Sequence, residues 1–150
     1  MAMNAYSTRF RNALVAACLL SGIGLALPQS DEPWTDKQLK DPAVLAAVIA
    51  ESKAPKPVIF NIGPVQQIKG AIAIGPANKN ANLEKLKQQL AKLPKDKEVI
   101  IYCGCCPFSR CPNVRPAFEL LQKMKFTNAK LLNLPSNLKD DWISKGYPLE

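Results

Sequence analysis

The chain has 150 residues, of which 20 are basic and 12 are acidic, so its formal net charge is +8, and it contains no histidine. This length suits a single domain with a sizeable core. The absence of histidine excludes Cys-His and Ser-His catalysis and any histidine metal ligand. The lysines are spread over predicted helix faces and form no run beside aromatic residues. This pattern favours a solvated surface over a nucleic-acid interface, and it suits small anionic ligands.

The first 27 residues have the pattern of a signal peptide, which leaves 28–150 as the mature domain. A basic segment without acidic residues, MAMNAYSTRFRN, precedes the apolar run ALVAACLLSGIGLAL. This run is shorter than the ~20 residues that a membrane span needs. We therefore expect cleavage near Ala26, export to the periplasm or secretion, and no stable membrane insertion of the mature chain. A lipid anchor at Cys18 and an uncleaved anchor stay open as alternatives.

Helices and strands are predicted to alternate through the mature domain. In chain order we predict a helix beginning at Asp41-Pro42, strands at Val58–Ile62 and Ala71–Ile74, a helix at Leu83–Leu93, a strand at Val99–Tyr102, a helix from Val114 to near Phe126, a strand at Ala129–Leu134 and a short helix at Asn137–Lys145. Asp41, Asn82 and Asn113 are the predicted N-caps. This alternation indicates an α/β domain with a parallel sheet flanked by helices on both faces.

The four cysteines of the mature domain follow the predicted central strand within nine residues: Cys103, Cys105, Cys106 and Cys111. Ligands of parallel sheets bind beyond the carboxyl ends of the strands, which is where Cys103 falls. A strand that ends in cysteine and leads to a helix N-terminus points the thiol at free N–H groups, and these favour the thiolate. Removal of the signal peptide also removes Cys18, which leaves an even number of cysteines in an oxidising compartment.

The strand, the cysteine loop and the following helix resemble a single-domain rhodanese, over about residues 36–150. Three further segments carry this resemblance: Gln67–Ile72, Lys125–Ala129 and the ending Asp141–Pro148, with its Asp-Trp and Lys-Gly-Tyr-Pro motifs. The resemblance implies a rhodanese-like fold and sulfurtransferase activity without a cofactor. In that family a cysteine after the central strand carries sulfane sulfur as a persulfide, from thiosulfate or a similar anion to a thiol or cyanide. Cys103 is the matching residue.

This sequence departs from the family pattern at three places. Asn61 stands where aspartate is usual, Gln67 stands where histidine is usual, and the loop after Cys103 is about four residues longer. Cys105 is itself followed by four residues and Arg110, which is the usual spacing. Cys105 is therefore a second candidate for the nucleophile.

The loop also carries groups that can stabilise a sulfur anion. Arg110 and Arg115 supply fixed positive charge and planar donors, and the backbone N–H groups of residues 104–114 can form a cradle. The predicted catalytic residues are Cys103, Cys105, Cys106 and Arg110, and the predicted substrate-binding residues are Gly104, Ser109, Arg110 and Arg115.

The extra thiols leave other functions open. Cys106 and Cys111 can close the loop as a disulfide. Two thiols near a persulfide can resolve it, releasing sulfide and forming a disulfide, as in a thiol redox protein. Three or four thiolates can bind a soft metal such as Cu(I) or Zn(II), but the spacing is not a familiar zinc pattern, and no metal site is predicted. A rhodanese-like module that only binds a partner is a further alternative.

Overall fold

The computed structural model describes residues 32–51 and 55–150. The predicted signal peptide at residues 1–27, including Cys18, lies outside the described residues. Within the described ranges, no helix is both long enough and apolar enough to cross a membrane.

Five parallel strands form one sheet in the order β1-β5-β4-β2-β3. Their bounds are β1 Leu39–Lys40, β2 Val58–Asn61, β3 Ala71–Ala73, β4 Val99–Tyr102 and β5 Ala129–Leu132. The predicted α/β class and parallel sheet are confirmed, and four of these strands coincide with predicted ones to within two residues. The pattern did not predict β1, which has only two residues and pairs with β5 at the edge of the sheet.

Four α-helices connect and follow the strands: α1 Pro42–Ala50, α2 Asn80–Leu90, α3 Val114–Lys123 and α4 Leu138–Asp141. Short 3₁₀ turns lie at Asp36–Gln38, Phe108–Arg110 and Ile143–Lys145. Asp41 caps α1 as predicted, because its Oδ1 atom accepts the Val44 N–H at 3.0 Å. The predicted final helix is split into α4 and the last 3₁₀ turn.

Two of the predicted helix caps do not make the expected capping hydrogen bond, although Asn113 does occupy the N-cap position of α3. Asn82 lies inside α2, which begins about one turn earlier than predicted, and its Nδ2 atom donates to the Pro76 carbonyl at 2.9 Å. Asn113 does precede α3, but its side chain makes no capping hydrogen bond. Both asparagines instead use their amides on neighbouring loops, and a local capping pattern cannot distinguish the two uses.

Helices cover both faces of the sheet, as predicted. On one face, the buried side chains of α2 and α3 pack against β4 and its neighbours, with Leu86, Leu90, Phe118, Leu121, Phe60 and Ile101 among them. On the other face, buried side chains of α1 and α4, among them Leu45, Ile49 and Leu138, pack with Ile59 and Ile100 of the sheet. Successive residues of a strand point to opposite faces. Cys103 and Ile101 accordingly belong to the same core cluster, on the α3 side.

The central strand β4 is buried along its whole length. It pairs with β2 on one side and with β5 on the other, so its carboxyl end has a neighbouring strand end on each side. The Tyr102 side chain also helps to hold this end. Its hydroxyl accepts the Ile68 N–H at 3.0 Å and donates to the Gln66 carbonyl at 3.2 Å. The segment after β4 therefore starts from a fixed position.

Candidate functional site

The chain leaves β4 through a tight turn at Gly104. This glycine has a φ of 70°, a left-handed conformation that other residues adopt only with strain. Its carbonyl accepts the Leu138 N–H at 2.8 Å, at the start of α4. A Cβ atom at residue 104 would lie 2.7 Å from the Leu138 Cβ atom. Gly104, predicted as a substrate-binding residue, is thus buried and fixes the cysteine loop against α4.

A second anchor lies in the middle of the loop, at the 3₁₀ turn Phe108–Arg110. The Phe108 ring meets the Trp34 ring edge-on, with centroids 6.0 Å apart. Trp34 also packs edge-on against Phe118 of α3, at 5.7 Å. These ring contacts tie the loop to α3, so the cysteines on either side of the turn are held close together.

The sulfur atoms of the loop form one cluster. Cys105 lies at its centre, because its Sγ atom is 3.2 Å from that of Cys103, 3.5 Å from that of Cys106 and 3.9 Å from that of Cys111. The Sγ atoms of Cys103, Cys105 and Cys111 all lie within 4.8 Å of one another. All four cysteines are free thiols, so the predicted disulfide between Cys106 and Cys111 is not formed in this arrangement.

Exposure divides the cluster into an inner and an outer part. Cys103 is 2% exposed and Cys111 is 5% exposed. Cys106 is half-buried and Cys105 is exposed. A molecule arriving from solvent therefore meets Cys105 first, with the two buried sulfurs directly behind it.

Asn113 lies at the inner side of the cluster and is buried. Its Nδ2 atom donates to the Cys103 sulfur at 3.3 Å and to the Cys111 sulfur at 3.8 Å. Its Oδ1 atom accepts the backbone N–H of Asn78 at 3.0 Å. One side chain thus supplies N–H groups to two sulfurs and fixes them relative to the loop before α2.

The loop after β2 packs against Cys103 from the other side. A Cβ atom at Gly63 would lie 2.6 Å from both the Sγ atom and the carbonyl oxygen of Cys103, so only glycine fits there. Asn61 shapes this approach, because its Oδ1 atom accepts the Gly63 N–H at 3.0 Å and its Nδ2 atom donates to the Val65 carbonyl at 2.8 Å. Asn61 therefore positions the β2 loop beside the cluster.

The cysteines differ in how easily they lose a proton. The hydrogen bond with Cys111, reinforced by burial, raises the pKa of Cys103. The same hydrogen bond, donated by Cys103, and the backbone N–H of Asn113 lower the pKa of Cys111 to about 5. Burial and the neighbouring sulfurs raise the pKa of Cys106 to about 12. Of these three thiols, Cys111 is the one whose pKa is lowered, beside the N-terminus of α3, whereas the sequence predicted the thiolate at Cys103.

An open cleft of about 420 Å³ lies beside Cys105. Three segments form its walls, namely the loop after β2, the start of the cysteine loop and the region of α4. The lining residues are Pro64, Val65, Gln66, Gly104, Cys105, Asn137, Leu138, Lys139 and Ile143. Cys105 is the one cysteine among them, so the cleft brings solutes to this thiol.

The other predicted site residues lie at the surface of the loop. Ser109, Arg110 and Arg115 are exposed. The Arg110 side chain makes no hydrogen bond or ion pair with any residue in the described ranges, whereas Arg115 does have a partner. The structure thus brings together the four cysteines and Gly104, and it leaves the predicted anion-binding side chains outside the sulfur cluster.

Sequence reasoning missed three residues that shape the site. The sequence pattern predicts Asn113 as a helix cap and predicts no role for Gly63 or Lys139. Two signals in the sequence point to the first two of these residues. Asn113 is a polar residue between Cys111-Pro112 and an apolar helix, and Gly63 is a glycine directly after a buried strand.

Compared with models of known protein families and with curated protein sequences, the chain matches none.

Proposed function

We propose that this chain is a rhodanese-type sulfurtransferase, which carries sulfane sulfur as a cysteine persulfide from thiosulfate or a similar donor to a thiol or cyanide. The observation that carries the proposal is the pair Cys103 and Cys105 at the carboxyl end of the central strand. Their sulfurs are 3.2 Å apart, and the outer one opens onto a cleft. The resemblance of the sequence to single-domain rhodaneses supports the same function.

Cys105 is the thiol that meets the donor. Of the two candidates that the sequence leaves open, Cys103 is 2% exposed and lies under the β2 loop, while Cys105 is exposed. An in-line attack needs the donor sulfur in contact with the attacking sulfur and its leaving group on the opposite side, in free space. The cleft offers such space beside Cys105, and Lys139 on its wall adds a positive charge for an anionic donor.

The transfer consists of two displacements at sulfur. The Cys105 thiol passes its proton to the Cys111 thiolate, whose sulfur is 3.9 Å away, and then attacks the outer sulfur of thiosulfate. The sulfur–sulfur bond of the donor breaks, and sulfite leaves with the bonding electron pair. Cys105 then carries one additional sulfur atom as a persulfide anion. An acceptor thiolate attacks the terminal sulfur, takes it as its own persulfide and releases the Cys105 thiolate. No external oxidant or reductant is consumed.

The inner thiols limit what can happen to the persulfide. N–H donors from Asn113 hold the sulfurs of Cys103 and Cys111 in place, and such donors also favour a sulfur anion nearby. Cys103 is close enough to attack the inner sulfur of a Cys105 persulfide, which would form a disulfide between the two cysteines and expel hydrosulfide. Slow loss of sulfur as sulfide in the absence of an acceptor is therefore expected.

A thiol redox function is the second candidate, and the separation of the Cys103 and Cys105 sulfurs favours it. At 3.2 Å they are about 1.2 Å farther apart than the ~2.0 Å of a bonded pair, so little movement is needed for oxidation. In this function a substrate disulfide is reduced, while Cys103 and Cys105 form a disulfide. The mass of the protein distinguishes the two functions. Sulfur transfer adds one sulfur atom, whereas thiol oxidation removes two hydrogen atoms.

Intact-protein mass spectrometry of the reduced full chain, before and after anaerobic incubation with thiosulfate, tests the proposal. We expect a gain of about 32 Da that a thiol reductant removes, since persulfides exchange with thiols. Cys105→Ser should abolish the gain, and Cys106→Ser is the matched control because it removes the adjacent thiol outside the cleft lining. A gain that persists in Cys105→Ser and disappears in Cys103→Ser would assign the carrier role to Cys103. No gain in any form of the protein would contradict sulfur transfer.

A further inference from the structure

We propose that Cys103, Cys105 and Cys111 form a binding site for a soft monovalent metal ion, Cu(I). This inference is independent of sulfur transfer, because it depends on the arrangement of three sulfurs and not on attack at a donor. Cys103 directly follows β4, Cys105 lies at the centre of the sulfur cluster, and Cys111 lies two residues before Asn113. Their three Sγ atoms lie within 4.8 Å of one another.

The sulfur separations suit three-coordinate binding. A metal bound at the ~2.3 Å typical of thiolate ligands, in the plane of three sulfurs, holds each pair of them about 4.0 Å apart. The Sγ atoms of Cys105 and Cys111 are already 3.9 Å apart, and those of Cys103 and Cys105 are 3.2 Å apart. Because the Cys105 side chain is exposed, a rotation toward solvent can lengthen the distance between the Cys103 and Cys105 sulfurs to this value.

The ligand set selects the metal. Three sulfurs without histidine or carboxylate make a soft site, which favours Cu(I), Zn(II) or an iron–sulfur cluster over harder ions. Structural zinc is held by four protein ligands, whereas the mutually close group here contains three. Zn(II) would need a fourth ligand such as water to complete its tetrahedron, whereas Cu(I) accepts three-coordinate binding by thiolates. Three sulfurs by themselves therefore suit Cu(I) better than zinc.

The surroundings of the sulfurs match those of a metal site. Cys103 and Cys111 are buried, so the two inner ligands are shielded from solvent, while Cys105 gives the ion a route in. The Asn113 amide donates to both inner sulfurs, and outer-shell hydrogen bonds of this kind orient thiolate ligands. Gly63 closes the cluster behind Cys103.

Binding involves no change of oxidation state. The ion takes the place of the protons on the cysteine sulfurs, and these protons pass to the solvent as the metal–sulfur bonds form. The copper enters and stays as Cu(I), so no oxidant or reductant takes part. While Cu(I) is bound, the lone pairs of the Cys105 sulfur are engaged with the metal.

Anaerobic titration of the reduced full chain with Cu(I), in competition with the chelator bathocuproine disulfonate, tests this site. The chain should carry Cys18→Ser, because that cysteine lies outside the described residues and could bind copper by itself. We expect one tightly bound Cu(I) per chain. Cys111→Ser should weaken binding by at least about 100-fold, the upper end of what outer-shell changes cost. Cys106→Ser should retain the affinity, since Cys106 lies outside the group of three.

X-ray absorption of the copper-loaded protein identifies the ligands without any substitution in the group of three cysteines. We expect a first shell of three sulfur scatterers and no nitrogen or oxygen. Equal weakening by Cys106→Ser and Cys111→Ser, unchanged affinity in Cys111→Ser, or a shell with two sulfurs would overturn the site. No sulfur donor is present in either measurement, so their outcome is separate from the thiosulfate experiment.

Discussion

The Nδ2 atom of Asn113 donates a hydrogen bond to the Sγ atom of Cys103, at 3.3 Å, across the loop that joins β4 to α3. The same side chain reaches Cys111 and accepts the backbone N–H of Asn78. A single buried amide thus connects the central strand, the start of α3 and the loop before α2. The arrangement of the inner sulfurs depends on this residue.

Replacement of Asn113 by alanine should both destabilise the protein and loosen the sulfur cluster. The Asn78 N–H would lose its part-buried hydrogen bond to Asn113, and the loss of such a bond costs about 0.5–1.5 kcal/mol of unfolding free energy. Urea denaturation measures this loss, and the rate of iodoacetamide reaction with Cys111 measures the loosening. Asn78→Ala is the matched control, because it keeps the backbone N–H that Asn113 accepts. Equal effects of the two substitutions would contradict the assigned role.

Gly63→Ala should disturb Cys103 specifically. The added Cβ atom would lie 2.6 Å from the Cys103 sulfur, and overpacking of this kind costs about 1–3 kcal/mol. We expect lower stability together with a changed rate of reaction between the cluster thiols and Ellman's reagent.

Gly70→Ala provides the contrast to Gly63→Ala. A Cβ atom at Gly70 meets no atom within 4 Å, although its φ of 79° makes the substitution strained. It should lower stability and leave the thiol reaction rates unchanged. Unchanged thiol reactivity in Gly63→Ala as well would mean that the β2 loop does not hold Cys103 in place.

The central strand and the position of Cys103 could be predicted from the sequence, because their signals are local. The run Val99-Ile100-Ile101-Tyr102 is β-branched and aromatic throughout, and a buried strand is the one element that suits it. The helical apolar face beginning at Val114 is equally clear. Cys103 lies between these two elements, and this was enough to predict that it follows the carboxyl end of the central strand.

The chemistry of the cluster could not be predicted in the same way, because it depends on contacts between distant segments. An asparagine before a helix has the same capping propensity whether its carboxamide faces the helix or two sulfurs. The geometry of the buried loop determines which of these contacts Asn113 makes. Likewise, Leu39–Lys40 is too short to show a period and becomes a strand only through pairing with β5. The cleft beside Cys105 needs three segments far apart in the chain.

The Cys111 sulfur should stay ionised at pH values well below the usual pKa of cysteine. The pKa of Cys111 is lowered to about 5, mainly by the hydrogen bond from Cys103. The thiolate absorbance near 240 nm should therefore be present at neutral pH in the reduced protein. It should be lost as the pH falls through about 5, where the sulfur takes up a proton. Cys111→Ser should remove this absorbance at neutral pH, and Cys106→Ser should keep it.

Tyr102→Phe should weaken the wall of the cleft without altering the ring packing of the core. The hydroxyl accepts the Ile68 N–H and donates to the Gln66 carbonyl, so its loss leaves a buried donor unsatisfied. We expect a loss of about 1–3 kcal/mol in the free energy of unfolding by urea.

Tyr147→Phe is the matched control for Tyr102→Phe. It keeps the edge-on contact of residue 147 with Trp142, whose ring centroid is 5.1 Å away, and its hydroxyl has no hydrogen-bond partner among the described residues. The change in its unfolding free energy should stay within about 0.5 kcal/mol, as for ordinary surface substitutions. If the two variants lost equal stability, the hydroxyl of Tyr102 would not be what joins β4 to the segment before β3. The position of Gln66 on the cleft wall would then need another support.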